Sequence, residues 1–208
     1  VRAVIPEGEG CLLAVRYELF RDLVMDFATG SRELKEALEL FDSRGSTALY
    51  DAVIGSLDHL KTAAKDKRVL LVVSDCEDNT SHNSLDKAIK EVQKTDTVIY
   101  TIGLLSEESK KNSKRAKKAL EQLALASGGL AFFPENVDDV HNICEQVARD
   151  IRNQYTLAYY PTNTKRDGTF RTVQVEVIRA RGRGKLVART RNGYYAPGGG
   201  GGGTATGQ

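Results

Sequence analysis

A short, uninterrupted apolar run that ends in carboxylates constrains the fold of this chain most strongly. Residues 68–79 read RVLLVVSDCEDN, so Asp75, Glu77 and Asp78 follow the run at once. Apolar runs of this length are typical of strands covered on both faces, as in a parallel sheet flanked by helices. Ligands of such sheets bind beyond the carboxyl ends of the strands. The run therefore predicts a buried strand that presents Asp75 at a ligand-binding edge.

Strands and helices alternate along the chain on both sides of this run. Strands are predicted over 10–17, 23–27, 97–103 and 130–133, the second pairing with the first as a hairpin at a sheet edge. Helices are predicted from Ser31, over 48–64, from Ser84, over 113–127 and over 137–153. This order predicts a Rossmann-like, doubly wound α/β fold, with a mainly parallel sheet and helices on both faces.

The sequence changes character after Asn153. Three strands are predicted over 154–160, 169–178 and 185–191, as an antiparallel β-meander whose aromatic residues pack it onto the main domain. The glycine run from Gly198 predicts a flexible tail. We therefore divide the chain into an α/β domain (1–153), a β-meander extension (154–197) and a Gly-rich tail (198–208).

The charge and the hydropathy of the chain argue against two classes of binding partner, nucleic acids and membranes. The formal net charge of +2 arises from nearly balanced acids and bases, which argues against recruitment by nucleic acid or an anionic membrane. The basic segments 110–118 and 179–185 lack interleaved aromatic residues, and the first is predicted to be a loop leading into a solvated helix. No apolar run approaches the length of a membrane span. We expect no nucleic-acid partner and no membrane insertion.

A second stretch, GSTALYDA at residues 45–52, places Thr47 at the start of the helix that precedes the buried strand. The Thr47 hydroxyl either caps that helix or ligates a hard cation, and Ser46 is an alternative cap. Residues 75–79 similarly either form a polar turn that caps the following helix or contribute a ligand. Together, the hydroxyl and the acid-tipped strand suggest a shared metal site.

An ordered series of motifs resembles a known family. GSTALYDAV, RVLLVVSDCEDN, VIYTIGL, LALASGGLAFFP, IRNQYTLAYYPTN, DGTFRTVQVEV and RNGYYAP are similar to segments of the von Willebrand factor A (VWA) domain, in particular the bacterial VWFA-related subfamily first catalogued in acidobacterial proteins. The resemblance covers about residues 1–197. It implies a metal-ion-dependent adhesion site, in which three loops hold Mg²⁺, Mn²⁺ or Ca²⁺ and a protein ligand supplies a carboxylate. Thr47 matches the second loop and Asp75 the third.

The first metal-binding motif of that family, Asp-x-Ser-x-Ser, does not occur in this sequence. Residues 1–6 resemble the end of the family's first helix, so the first strand and helix are expected to be missing and the remaining ligands to lie upstream of Val1. Either the natural protein is longer, or this chain folds poorly, or another segment replaces the strand.

The resemblance favours a non-enzymatic, adhesion-type protein-binding module that is secreted or in the cell envelope. One alternative is a structural scaffold that needs no metal. Another is a Mg²⁺-dependent hydrolase or phosphotransfer enzyme with Asp75 as nucleophile. The sequence has no phosphate-cradling glycine loop, and His59, His82 and His141 stand beside no candidate nucleophile and are expected at surface or boundary positions. Three separated cysteines indicate neither a zinc site nor a disulfide framework.

Overall fold

The computed structural model describes residues 2–4, 12–17, 21–28, 47–62, 68–74, 78–104, 110–136, 138–178 and 188–198. Its strands are β1 (Arg2–Val4), β2 (Leu12–Tyr17), β3 (Arg21–Ala28), β4 (Val69–Ser74), β5 (Val98–Gly103), β6 (Ala131–Phe132), β7 (Phe170–Thr172) and β8 (Gly193–Tyr195). Its helices are α1 (Leu49–Leu60), α2 (Leu85–Gln93), α3 (Lys110–Ser127) and α4 (Asp139–Arg152). The helix predicted from Ser31 and most of the glycine tail lie outside the described residues.

The main sheet has six strands in the order β3-β2-β1-β4-β5-β6. Strands β4, β5 and β6 are parallel neighbours, with Val69 opposite Val98 and Thr101 opposite Ala131. Helix α2 connects β4 to β5, and α3 connects β5 to β6, as parallel neighbours require. The predicted α/β fold is confirmed, and so is the edge hairpin, because β3 pairs antiparallel with β2 alone.

Strand β1 fills the position between β2 and β4. It is antiparallel to both neighbours, with Ala3 opposite Val15 on one side and Val72 on the other. The interpretation of this segment as the end of a helix is therefore wrong for residues 2–4, because their backbone groups complete the hydrogen bonding of two longer strands. In the structure, residues 2–4 occupy this position of the sheet. The reversed direction also puts Arg2 at the carboxyl edge of the parallel strands.

Helices cover both faces of the parallel strands. On one face, Leu70, Val72 and Ile99 pack against α1, α2 and α3 in a cluster that includes Leu57, Val92 and Leu120. On the other face, Val69, Leu71, Tyr100 and Ile102 form a second cluster with Val147 of α4. The continuous apolar sequence of β4 is explained by these two cores, since alternate residues point to opposite faces. The doubly wound arrangement is thus confirmed.

The described residues of the C-terminal region contain a separate two-stranded antiparallel sheet. Phe170 of β7 pairs with Tyr195 of β8, and their rings make an edge contact with centroids 5.2 Å apart. The strand predicted over 169–178 is confirmed for residues 170–172 only, and the strand predicted over 154–160 is wrong. Residues 188–191 of the third predicted strand form no strand, and 185–187 lie outside the described residues. A strand needs a neighbouring strand to satisfy its backbone, and only β7 finds one among the described residues.

The exposure of two C-terminal tyrosines contradicts their predicted packing role. Tyr155 is 93% exposed and Tyr160 is 100% exposed, so neither packs onto the main domain. Tyr194 and Tyr195 of β8, in contrast, are half-buried. A second correction concerns the basic segment 110–118, which belongs to helix α3 from Lys110 onwards and is not a loop.

Candidate functional site

Of the two predicted metal ligands, Thr47 belongs to the described residues and Asp75 does not. Thr47 is described and lies one residue before Ala48, the N-cap residue of α1. Asp75 lies outside the described residues, immediately after Ser74, the last residue of β4. Ser74 is fixed at the carboxyl edge of the sheet, because its carbonyl accepts a hydrogen bond of 2.9 Å from the Leu104 amide at the end of β5.

Thr47 is held by the loop that follows β4. Its amide donates to Asn79 Oδ1 at 2.9 Å, and its carbonyl accepts from the amides of Asn79 and Thr80 at 3.0 and 3.3 Å. The Thr47 hydroxyl takes part in none of these bonds, since all of them use its backbone. The structure thus places Thr47 beside residues 78–80, which follow Asp75 closely in the chain.

The same loop caps helix α1. Ala48 has no side chain that could accept from the first amides of the helix, and the Tyr50 amide donates instead to Asp78 Oδ2 at 2.9 Å. The Asp51 amide donates to Ser81 Oγ at 3.1 Å. Ser81 in turn donates from its hydroxyl to Asp78 Oδ2 and from its amide to Asp78 Oδ1. A carboxylate near a helix N-terminus is also favoured by the helix dipole.

These contacts correct two interpretations of the sequence. Thr47 is not the N-cap of α1, and Ser46 lies outside the described residues. Asp78 and Ser81 accept from the first turn of the preceding helix. The following helix, α2, is capped by Ser84, with Oγ accepting from the Lys87 amide at 3.3 Å. The predicted start of this helix at Ser84 is confirmed.

Asp51 is a buried carboxylate that the sequence analysis missed. Its side chain, only 6% exposed, accepts from the amides of His82 and Asn83 at 2.9 and 3.0 Å and from Asn83 Nδ2 at 2.7 Å. His82 Nδ1 lies 3.2 Å from Asp51 Oδ2. Burial alone would raise the pKa of Asp51, but the hydrogen bonds from His82 and Asn83 outweigh it and hold that pKa below its ordinary value. The available signal was its place in the first turn of α1, where the helix dipole favours a carboxylate.

We refer to residues 47–51 and 78–83, joined by these bonds, as the latch. The latch fixes the start of α1 against the loop after β4 through backbone, hydroxyl, amide and carboxylate groups. Its donor and acceptor atoms are largely committed to one another, including both oxygens of Asp78 and Oδ1 of Asn79. Their first role is therefore to position the chain at the carboxyl edge of the sheet.

The histidines occupy the surface and boundary positions that the sequence predicts. The His82 side chain is 87% exposed, His141 is exposed on α4, and His59 is half-buried on α1. Within the described residues, no group of three or more His, Cys, Asp or Glu side chains is placed to hold a metal ion.

The fold and the latch define an α/β protein with a Rossmann-like sheet whose carboxyl edge carries a polar loop. No family model and no curated protein matches the chain. It is similar in structure to the conserved hypothetical protein BatB from Bacteroides thetaiotaomicron, at 12% identity and a TM-score of 0.48, over 67% of this chain and 78% of that one. It is also similar to an uncharacterized membrane spanning protein from Vibrio fischeri, at 15% identity and a TM-score of 0.35, over 65% and 73% of the two chains.

Likenesses at these scores do not establish the family of this chain. In the part of the chain that the structure describes, no helix has the length and apolar character needed to cross a membrane.

Proposed function

We propose that the chain is a VWA-like, non-enzymatic protein-binding module, with a divalent-cation site at the carboxyl edge of its sheet. The supporting observation is the pairing of Thr47 with Asn79, which brings the start of α1 to the loop after β4. Asn79 lies four residues after Asp75, and four residues of chain span at most about 14 Å. This pairing supports the proposal that Thr47 and Asp75 contribute to one shared site.

The donor chemistry at this edge suits a hard cation. Mg²⁺, Mn²⁺ and Ca²⁺ prefer oxygen ligands, and a threonine hydroxyl and a carboxylate supply them. The latch already uses both oxygens of Asp78 and Oδ1 of Asn79, so the proposal assigns the cation to Thr47 and Asp75. The buried Thr80 hydroxyl, which has no hydrogen-bond partner among the described residues, is a further oxygen beside Thr47. In the proposed site Thr47 binds the cation directly or through water, and Asp75 holds a coordinated water and balances charge.

A site with few direct carboxylates leaves the cation electrophilic. A carboxylate of a partner protein would then complete the coordination, which makes an acidic side chain of that partner the recognised group. The resemblance to VWA domains also supports, as part of the proposal, a location in the cell envelope or outside the cell.

One observation favours a second candidate, a scaffold that works without metal. The polar groups of the latch pair with one another, so the loop is already held in place by protein contacts alone. In that case the carboxyl edge serves only to stabilise the fold, and replacing Asp75 leaves partner binding intact.

The two candidates are separated by Mn²⁺ titration followed by water-proton relaxation, which detects weak sites. We expect weak binding by this chain, at least tenfold weaker binding by Asp75→Ala and Thr47→Val, and unchanged binding by Asp86→Ala. Asp86 is an exposed carboxylate in the first turn of α2 and controls for loss of charge. A longer form with an upstream Asp-x-Ser-x-Ser segment should bind more tightly. Equal affinities for Asp75→Ala and Asp86→Ala would refute the cation site and leave the scaffold.

A further inference from the structure

A cavity lined by basic side chains lies at the opposite, amino edge of the sheet. It has a volume of about 260 Å³, between the ends of α1 and α2, the starts of β4 and β5, and the segment before β8. Lys61, Arg68, Lys94 and Arg191 line it together with a single carboxylate, that of Asp96. Cationic side chains therefore outnumber the carboxylate in its wall.

Three of the four cations have carboxylate partners, but these pairs are weak. Lys61 lies 2.6 Å from Asp58, and Lys94 lies 2.8 Å from Glu91. The two ammonium groups are about half exposed, although Glu91 itself is only 18% exposed. Pairs this open to water contribute about 0–1 kcal/mol, so either ammonium group can turn toward an anion in the cavity. Both lysines are C-cap residues, where they offset the helix dipole, and this role does not require a cavity.

The two arginines do not lie at helix ends, so the helix dipole does not explain their positions. Arg68 precedes β4 and binds Asp96 through Nη1 at 3.1 Å. Arg191 has no carboxylate within ion-pair distance among the described residues. Its Nη1 donates to the Thr95 carbonyl at 3.2 Å, and its guanidinium lies 5.8 Å from the centre of the Tyr194 ring. These contacts hold Arg191 at the cavity, and neither of them supplies a full negative charge.

A hydrogen bond from Gln93 to Asn192, at 3.4 Å, also ties this segment to the end of α2. The position of Arg191 thus depends on folded structure on both sides of the cavity. A guanidinium that is held in place loses less conformational freedom when it binds an oxyanion, and its planar group can donate two hydrogen bonds at once.

We propose that this cavity binds a small, multiply charged oxyanion of the phosphate class, with Arg191 as the principal ligand and Lys94 and Lys61 as supporting cations. The volume falls below the roughly 300–1,000 Å³ of sites for drug-sized ligands, which favours a small anion. The site is independent of the proposed cation site, because the two lie at opposite edges of the sheet.

The test is calorimetric titration of the full chain with inorganic phosphate at constant ionic strength, with sodium chloride as the competing salt. We expect Arg191→Gln to weaken phosphate binding about tenfold or more, as loss of a charge-assisted hydrogen bond would. Lys94→Gln should weaken it less. The matched control is Arg189→Gln, which removes the same charge from the same segment, at a residue paired with Asp150 at 2.7 Å.

Unchanged affinity in Arg189→Gln, together with the loss in Arg191→Gln, supports the site. Equal losses in the two variants would show attraction by net charge alone and overturn the proposal. So would the absence of phosphate binding at millimolar concentration. Because Arg191 also contacts the Thr95 carbonyl, thermal unfolding of each variant shows whether the fold is retained, and Lys94→Gln tests the site without touching that contact.

Discussion

Replacing Asp51 by Asn tests whether the latch stabilises the fold. The substitution preserves the shape of the side chain. It replaces one acceptor oxygen by an amide NH₂ group, which is itself a donor and cannot accept from the N–H groups around it. Three N–H donors of His82 and Asn83 lie within 3.0 Å of the carboxylate, and the His82 ring lies at 3.2 Å. Leaving a buried donor unpaired costs about 1–3 kcal/mol. We expect the free energy of unfolding at neutral pH to fall by about 2–4 kcal/mol, the upper end applying if two donors lose their partner.

The difference between wild type and Asp51→Asn should depend on pH. The pKa of Asp51 is lower in the folded state than in the unfolded state, so the unfolded chain takes up the proton first on acidification. The stabilisation is present above the ordinary pKa, about 4, and is lost as the pH falls through the lower folded value. The gap between the two proteins should therefore narrow below about pH 4. Repeating the comparison in a His82→Gln background removes the contribution of the His82 imidazole to the pH dependence of stability.

The assay is urea unfolding of both proteins at a series of pH values. Asp58→Asn is the matched control, because Asp58 lies on the same helix, is 64% exposed and has a single exposed partner, Lys61. We expect this control to lose less than about 1 kcal/mol. Equal losses for the two variants at neutral pH, or a difference that persists unchanged into acid, would refute the role assigned to the Asp51 hydrogen bonds.

Three further substitutions test the cores by thermal or urea unfolding. Ser127→Ala leaves the Ile99 amide without its 2.8 Å acceptor and should cost about 1–3 kcal/mol; no loss would contradict that bond. Leu120→Ala removes a fully buried side chain and should lower the free energy of unfolding by about 2–5 kcal/mol. A decrease below about 1 kcal/mol would contradict its burial. Gly129→Ala would place a Cβ 2.0 Å from the Ile99 carbonyl oxygen and should strongly lower the melting temperature, while Gly198→Ala, with open space around it, should not.

The sequence predicted those elements whose pattern is local and strong. The apolar run of β4 and the stripes of α1 and α2 appear where expected, because burial on one or two faces is visible as spacing along the chain. The Ser84 cap was equally predictable, since its partner lies three residues away.

The errors concern structure that depends on distant partners. Residues 154–160 and 173–178 have strand-like alternation, yet alternation does not supply a neighbouring strand. Asp51 was overlooked because its partners, His82 and Asn83, are about thirty residues further along the chain. The placement of Thr47 at the sheet edge was predicted, but the reason for it, a bond to Asn79, was not. Asp75 stays a prediction, since it lies outside the described residues.

The way in which α1 begins has a consequence for how the protein opens. A helix with its own cap can fray or persist independently, but the first turn of α1 takes its acceptors from Asp78 and Ser81. Opening of the loop after β4 therefore also releases the amides of Tyr50 and Asp51, and the two segments form one unit of local unfolding. Amide hydrogen exchange would report a shared opening free energy for both. A bound ligand or a substitution at either segment should therefore change the opening free energy of the other, because the two are in direct contact.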